Sequence, residues 1–443
     1  MASWLSKLLG PSKQGAPAGP AVPQTTSAGA NARATAGASN SPSDAAPMPA
    51  ALSGSRRPLF QREGQLAGFE FMVAGAYAQR LARRTDPVAY AAHAAALMGS
   101  VRATLATRRV ALLSLPLNVA TRPSVLTQLP AGALLALTDV DLGRDEDVAA
   151  LLLLRPSGVR LGAVDQAIPG GSFVLLDGAQ LSDEALAESV THWRSTHPEQ
   201  RLIVTGLADI ESLEAALQLG VDWASGVVDR RRSPRPAPGL SVRAQRLCAL
   251  INRIVREDDL SSLATELRTE VELSYQLLAH ANSPLLALTR RADSVEQAVM
   301  LLGRDGVYRW LMLQLLSAGD SRPTSRALQE VSLARAHLLE ALAPAAGAPP
   351  ALWFTVGLLS LLEILLKQPM HDVLAPLQLP EPAVLALVER SGPWAYALDL
   401  VQALEQGDSE RAEGFAEPLG GLDHVTPFAD AAWTWASQAV RGN

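Results

Sequence analysis

Four groups of residues in this chain have types and spacing that could do chemistry. Cys248 is the single thiol. It would be a nucleophile in an open, polar setting, but it falls on the apolar face of a predicted helix, so a place in the core is the expectation. Gly170-Gly171 follows Ile168-Pro169 and could turn a backbone around a phosphate. No lysine-serine/threonine element comes after it, so it reads as a plain turn. The run Asp229-Arg-Arg-Arg-Ser-Pro-Arg-Pro-Ala-Pro-Gly239 gathers arginines that could hold an anion, yet its three prolines and dense charge read first as an exposed connector. Trp310 and Trp353 stand at the heads of long apolar helical runs. They could line a peptide groove, although core packing is the simpler reading.

These groups need elements to hold them, and composition bounds what those elements are. A chain of 443 residues predicts two to three domains at roughly 150 residues each. It is 48% hydrophobic and 19% charged, and no stretch approaches the roughly 18 uninterrupted apolar residues of a membrane span, so no integral membrane segment is expected. One cysteine leaves no disulfide framework and no thiolate metal cluster, and fits a reducing compartment. A net charge of -6 argues against nucleic acid as a partner, because phosphate neutralisation needs a basic face. The opening Met-Ala-Ser-Trp-Leu-Ser-Lys-Leu-Leu-Gly is too short for a secretory signal, which makes the cytoplasm the expected location.

Residues 1–55 read as a disordered tether, since 35 of the 45 positions from 11 to 55 are Ala, Gly, Pro, Ser or Thr. Ahead of that stretch, Trp4, Leu5, Leu8 and Leu9 fall at helical spacing, so residues 1–10 could dock weakly on a surface, although a frayed terminus is the plainer reading. From 59 to 230, short apolar runs alternate with helical stretches. Strands are predicted at Phe69–Val73, Val110–Leu115, Leu134–Leu137, Val159–Ala163, Phe173–Leu176, Leu202–Val204 and Ala224–Val228, with helices such as Pro87–Thr107 and Asp183–Ser195 between them. That order implies a parallel sheet closed, or nearly closed, into a barrel. A connector at 231–239 leads to an all-α region over 240–406. Its predicted helices include Ser241–Arg256, Leu273–Ala281, Arg304–Ala318, Ser325–Leu342, Ala351–Lys367, Glu381–Ser391 and Trp394–Glu405. A tail at 407–443 could dock a last helix through Trp433 and Trp435.

Two stretches resemble known families. Glu272-Leu-Ser-Tyr-Gln-Leu-Leu-Ala-His-Ala-Asn-Ser-Pro284 and Asp293-Ser-Val-Glu-Gln-Ala-Val-Met-Leu-Leu-Gly303 resemble the HDOD domain of bacterial signalling proteins, with Asn282, Ser283 and Gly303 at its motif positions in structural roles. Upstream, Leu59-Phe-Gln-Arg-Glu-Gly-Gln-Leu-Ala-Gly-Phe-Glu-Phe-Met72 resembles the first strand of an EAL domain, the β/α barrel that hydrolyses cyclic di-GMP. The fold class implied is multidomain α/β plus all-α: a degenerate EAL-type, TIM-like barrel followed by an HDOD helical bundle.

An active EAL barrel holds two divalent metals with carboxylates, an asparagine and a lysine at its strand ends. By that resemblance Glu70 matches the signature glutamate and Asn118 the asparagine, but the signature arginine falls on Ala74 and the next glutamate near Thr138. The aspartate pair becomes Val164-Asp165, the lysine becomes Leu175 with Asp177 retained, and the later motifs become Val204-Thr-Gly-Leu-Ala208 and Ser225-Gly226. A leucine or valine cannot supply the lost charge, so two-metal catalysis is expected to be absent, with no cofactor. Glu70, Asp165 and Asp177 could form a weak single-metal or ligand site, but hydrogen-bonded relics are the expectation. In the HDOD half, Ser360 and Leu361 stand where a histidine-aspartate metal pair would sit, and His371-Asp372 comes about ten residues late.

The resemblance thus implies a signalling adaptor, not an enzyme, in the control of motility, attachment or virulence. It would act through protein contacts with partners such as a diguanylate cyclase, a sensor kinase or a response regulator. The alternative is an inactive cyclic di-GMP sensor whose relic pocket modulates the HDOD surface.

Overall fold

The computed structural model describes residues 56–71, 87–232, 239–282, 290–319 and 322–441. The expected tether, the surface-docking peptide, Ala74 and Ser283 lie outside these residues.

Eight strands close into a barrel in sequence order. They are β1 (Arg56–Gln61), β2 (Leu66–Phe71), β3 (Val110–Leu115), β4 (Leu134–Leu137), β5 (Arg160–Val164), β6 (Phe173–Asp177), β7 (Arg201–Leu207) and β8 (Trp223–Gly226). Around them run α1 (Pro87–Ala106), the short α2 (Leu117–Ala120) and α3 (Pro123–Leu126), then α4 (Asp145–Leu154), α5 (Asp183–Thr196) and α6 (Ile210–Gln218). Side chains alternate along each strand, as the pleat requires. Leu59, Leu112, Leu134, Ala136, Phe173, Leu175, Ile203 and Trp223 fill the interior, and the outward set joins the surrounding helices.

The expected parallel sheet holds from β2 to β8 and fails at β1, which runs antiparallel to both β2 and β8. What the sequence suggests as one first strand over 59–72 is therefore a hairpin. Its turn closes through Gly64 N–H donating to the Gln61 carbonyl at 2.8 Å, with Gly64 at φ +71, a conformation glycine adopts without strain. A β-carbon there would also collide with the Pro323 carbonyl, so the hairpin tip lies directly against the helical region.

That region comprises α7 (Val242–Val255), α8 (Leu260–Thr269), α9 (Val271–Ala281), α10 (Val295–Leu316), α11 (Ser325–Leu342), α12 (Pro350–Leu359), α13 (Leu362–Leu366), α14 (Met370–Leu374), α15 (Glu381–Val384), α16 (Ala395–Gln406), α17 (Ser409–Ala416) and α18 (Leu422–Arg441). Gly303 breaks α10 with φ 67 and ψ -179, so its two halves meet at an angle that only glycine accepts readily. The single helix expected over 351–367 is two helices broken at Ser360 and Leu361, and the one expected over 381–391 passes into a π-helical turn at Leu385–Glu389.

The barrel and the helices are not two cores parted by an exposed connector. One continuous cluster of buried side chains runs from Phe60 and Leu113 in the barrel to Leu339 and Trp433 in the helices. On the outward face of β1 and β2 the helical region packs in, α16 against β1 and α11 against β2, with α18 reaching Phe69 through Trp433. The Trp433 ring meets Phe69 edge-on at 4.7 Å, while the Arg56 guanidinium lies over Phe69 and pairs with Asp430. Arg109 at the start of β3 reaches Glu330 of α11 at 2.6 Å, both side chains 3% exposed. Two of the connector's arginines pair with the body of the molecule: exposed Arg232 with Asp183 and Asp209, while Arg231 lies 3.9 Å from Glu363. Among the described residues no helix is long and apolar enough to cross a membrane.

Candidate functional site

The strand ends that carry chemistry in a β/α barrel are the C-terminal ones, because the βα loops open there. Here that mouth carries Arg57, Glu70, Asp177, Thr205 and Ser225 one pleat above the apolar interior, with Asp165 just past the end of β5.

Glu70 is buried and committed to protein partners. The Ser225 hydroxyl donates to its Oε2, and Arg57, its register partner across β1 and β2, lies at 3.4 Å. Asp165 and Asp177 are brought together from adjacent strands. Asp165 adopts φ 53, a left-handed conformation that aspartate tolerates better than most residues, and its backbone N–H donates to the Leu175 carbonyl at 2.8 Å. Burial, with the like charge of Asp177 adding to it, raises the Asp165 carboxyl above the usual range, against the lowering effect of the Asp177 N–H that it accepts. Asp177 in turn accepts from the Ala179 N–H at 3.0 Å, capping a short 3-10 turn. Asn118 is not at a strand end. It lies exposed on α2, past the end of β3, while the neighbouring Leu117 N–H is held by Asp139.

Directly beneath these groups the barrel is hydrocarbon. Leu175, Ile203, Leu112 and Ala136 are fully buried, and Thr205 and Ser225 supply only hydroxyls above them. Two divalent metals need a ring of carboxylate and amide oxygens around a shared centre. Among the described residues no group of three or more His, Cys, Asp or Glu side chains could hold a metal ion. His371 and Asp372 do pair, at 2.7 Å, but on the exposed face of α14 and far from the mouth in sequence and register. Cys248 is buried in α7 with its thiol pushed up to about 11 by desolvation, the opposite of an activated nucleophile.

At the HDOD motif, Asn282 caps α9. Its side-chain amide donates to the Ala292 carbonyl and accepts from the Ala292 N–H, both at 2.8 Å.

Sequence reasoning missed the strongest polar cluster in the chain, which joins the two regions beside the mouth. Arg335 of α11 donates to Glu405 of α16 through Nε at 2.9 Å and Nη2 at 2.5 Å, to Ser360 at 3.2 Å, and to Asp229 beyond β8 at 3.5 Å. Burial alone would lower the arginine's pKa. Its two carboxylates more than offset that, and Arg335 is held charged. The spacing that puts Arg335 on the apolar face of α11 with Leu328, Val331, Leu338 and Leu342 is the one available signal, and it names no partner.

The architecture is thus a closed eight-stranded β/α barrel joined to an all-α region. Residues 238–373 of that region match the family model of the HDOD domain, so the chain carries an HDOD domain. The chain is similar to the uncharacterized protein YuxH of Bacillus subtilis, 30% identical over 165 residues that cover 36% of this chain and 40% of the relative. It is also similar to the cyclic di-GMP phosphodiesterase CdgJ of Vibrio cholerae, 29% identical over 175 residues, covering 39% of this chain and 40% of that one. The matches therefore span well under half the length of these relatives. Among solved structures, an EAL domain protein from Listeria monocytogenes aligns over 39% of this chain and 86% of its own, with a TM-score of 0.30 and 13% identity.

Proposed function

We propose that this chain is a non-catalytic bacterial signalling adaptor, acting in the cytoplasm through protein contacts of its HDOD and barrel regions within cyclic di-GMP-linked control of motility, attachment or virulence. One observation carries the reading: where an EAL phosphodiesterase needs a lysine and a metal carboxylate, this chain has Leu175, in the apolar interior midway along β6, and Val164, at the end of β5, while the remaining glutamate, Glu70, is held by Arg57 and Ser225. The relative named a cyclic di-GMP phosphodiesterase supports the signalling context. The partners that fit this context are a diguanylate cyclase, a sensor kinase or a response regulator.

Full-length protein incubated with cyclic di-GMP and manganese or magnesium should show no turnover above a no-enzyme blank. Hydrolysis that disappears in Glu70→Ala would overturn the reading. Calorimetry on the same protein should give no heat of nucleotide binding, whereas saturable binding without turnover would replace the adaptor with a nucleotide sensor.

A further inference from the structure

The outer ring of the barrel has a gap beside β5 and β6. The connection from β5 to β6 runs from Asp165 to Ser172 without a helix, although parallel strands are usually joined by a crossover helix of a dozen or more residues. On α4, which precedes this gap, Leu151 and Leu154 are buried, while Leu152 and Leu153 are 54% and 59% exposed. Val148 and Leu142 are exposed as well, and Ala149 shares their side of the helix. Positions 148, 149, 152 and 153 form a stripe at helical spacing on a face that an outer-ring helix ordinarily gives to polar residues. Solvated apolar stripes of this kind mark contact surfaces.

The charges flanking the stripe identify what covers it. Asp145, Glu146 and Asp147 occupy the first turn of α4, after Arg144, which pairs with Asp141 at 3.3 Å; Arg155 follows the last residue and is exposed, one of its N–H groups donating to the Pro169 carbonyl at 3.1 Å. An antiparallel pair of α4 helices about a two-fold axis near residue 150 sets Val148 of one copy against Leu152 of the other, and Asp145 of one against Arg155 of the other. Ala149 near the axis permits close approach of the two backbones. The surface is therefore complementary to itself in both hydrophobicity and charge, which is the condition for an isologous interface. We infer that the exposed face of α4 is a self-association surface that joins two copies of this chain through an antiparallel helix pair. The acidic first turn disfavours an anionic membrane as the occupant. A single short helix buries less than a standard interface, so the dimer is a weak one.

Sedimentation equilibrium of the full chain at sub-millimolar concentration tests this. Wild-type protein should be in monomer–dimer exchange, and Leu152→Glu/Leu153→Glu should weaken the dimer by about tenfold or more. Asp145→Arg alone should also weaken it, and adding Arg155→Asp should restore it, a rescue that follows only from the antiparallel arrangement. All four side chains are exposed, so the leucine pair and Asp145→Arg should change the melting midpoint little, and Arg155→Asp should lower it only by the one exposed hydrogen bond to Pro169; if the leucine pair perturbs folding, the charge reversal decides. A monomeric wild type, a dimer indifferent to the leucine variant, or a charge reversal without rescue would each overturn the inference.

Discussion

Asn282 shows how much one side chain can hold at a corner. Its amide meets the Ala292 carbonyl and N–H at once, tying the end of α9 to the chain ten residues on. Asn282→Leu leaves both backbone groups without that partner and should cost about 1–2 kcal/mol in urea denaturation. His280, two residues earlier, is fully buried and neither ring nitrogen has a hydrogen-bond partner among the described residues. Desolvation lowers its pKa from the ordinary 6.5 to about 4. The unfolded chain therefore takes up the proton first as pH falls, so the contribution is intact above pH 6.5 and is lost progressively towards pH 4. Wild-type protein should lose about 2 kcal/mol more stability than His280→Leu between pH 7 and pH 5, measured by paired denaturation curves. Equal losses would mean that the ring is protonated in the fold.

At the scale of elements, β1 is the strand whose place depends most on distant partners. Arg56, Arg57 and Pro58 open it, two charges and an imino acid that argue against a buried strand. Arg56 is nevertheless buried because Asp430 of α18 meets it, and Arg57 is half-buried against Glu70. Those pairings join residues 374 and 13 positions apart, so no local pattern could reveal them. The seven later strands were legible because each carries its own apolar run between helical stretches. The break at Ser360 was hidden for the opposite reason. The leucines on either side are all buried, so the hydrophobic pattern continues straight through a place where a hydroxyl turns back to the Gly357 carbonyl and also takes Arg335. At the mouth, Asp165 and Asp177 were readable as neighbours from strand order, whereas the lock of Glu70 on Ser225 needs barrel closure to bring residues 155 apart into contact. The buried Arg109–Glu330 pair is the sharpest test of the joint between β3 and α11. Glu330→Ala strands a desolvated guanidinium and should destabilise the protein by about 3–5 kcal/mol, seen as a shift in denaturation midpoint.

For the whole molecule, a shared core and buried ionic contacts across the joint make barrel and helices one cooperative unit. Calorimetry should record a single transition for the full chain, and a fragment of residues 56–232 should lack a sharp one, because Phe60, Phe69 and Phe71 would face water without α11 and α18. Two resolved transitions would contradict the shared core. The placement of Trp433 over Phe69 also has a meaning in time. Synthesis delivers the aromatic face of the first hairpin long before the helix that shields it. At ribosomal rates of about 5–20 residues per second, the 374 positions between Arg56 and Asp430 amount to roughly 20–75 s of waiting. A nascent chain of this protein therefore carries an incompletely covered strand pair while the helices are still being made, and chaperones that hold such surfaces should find a client segment at residues 56–71, released only once α18 has emerged.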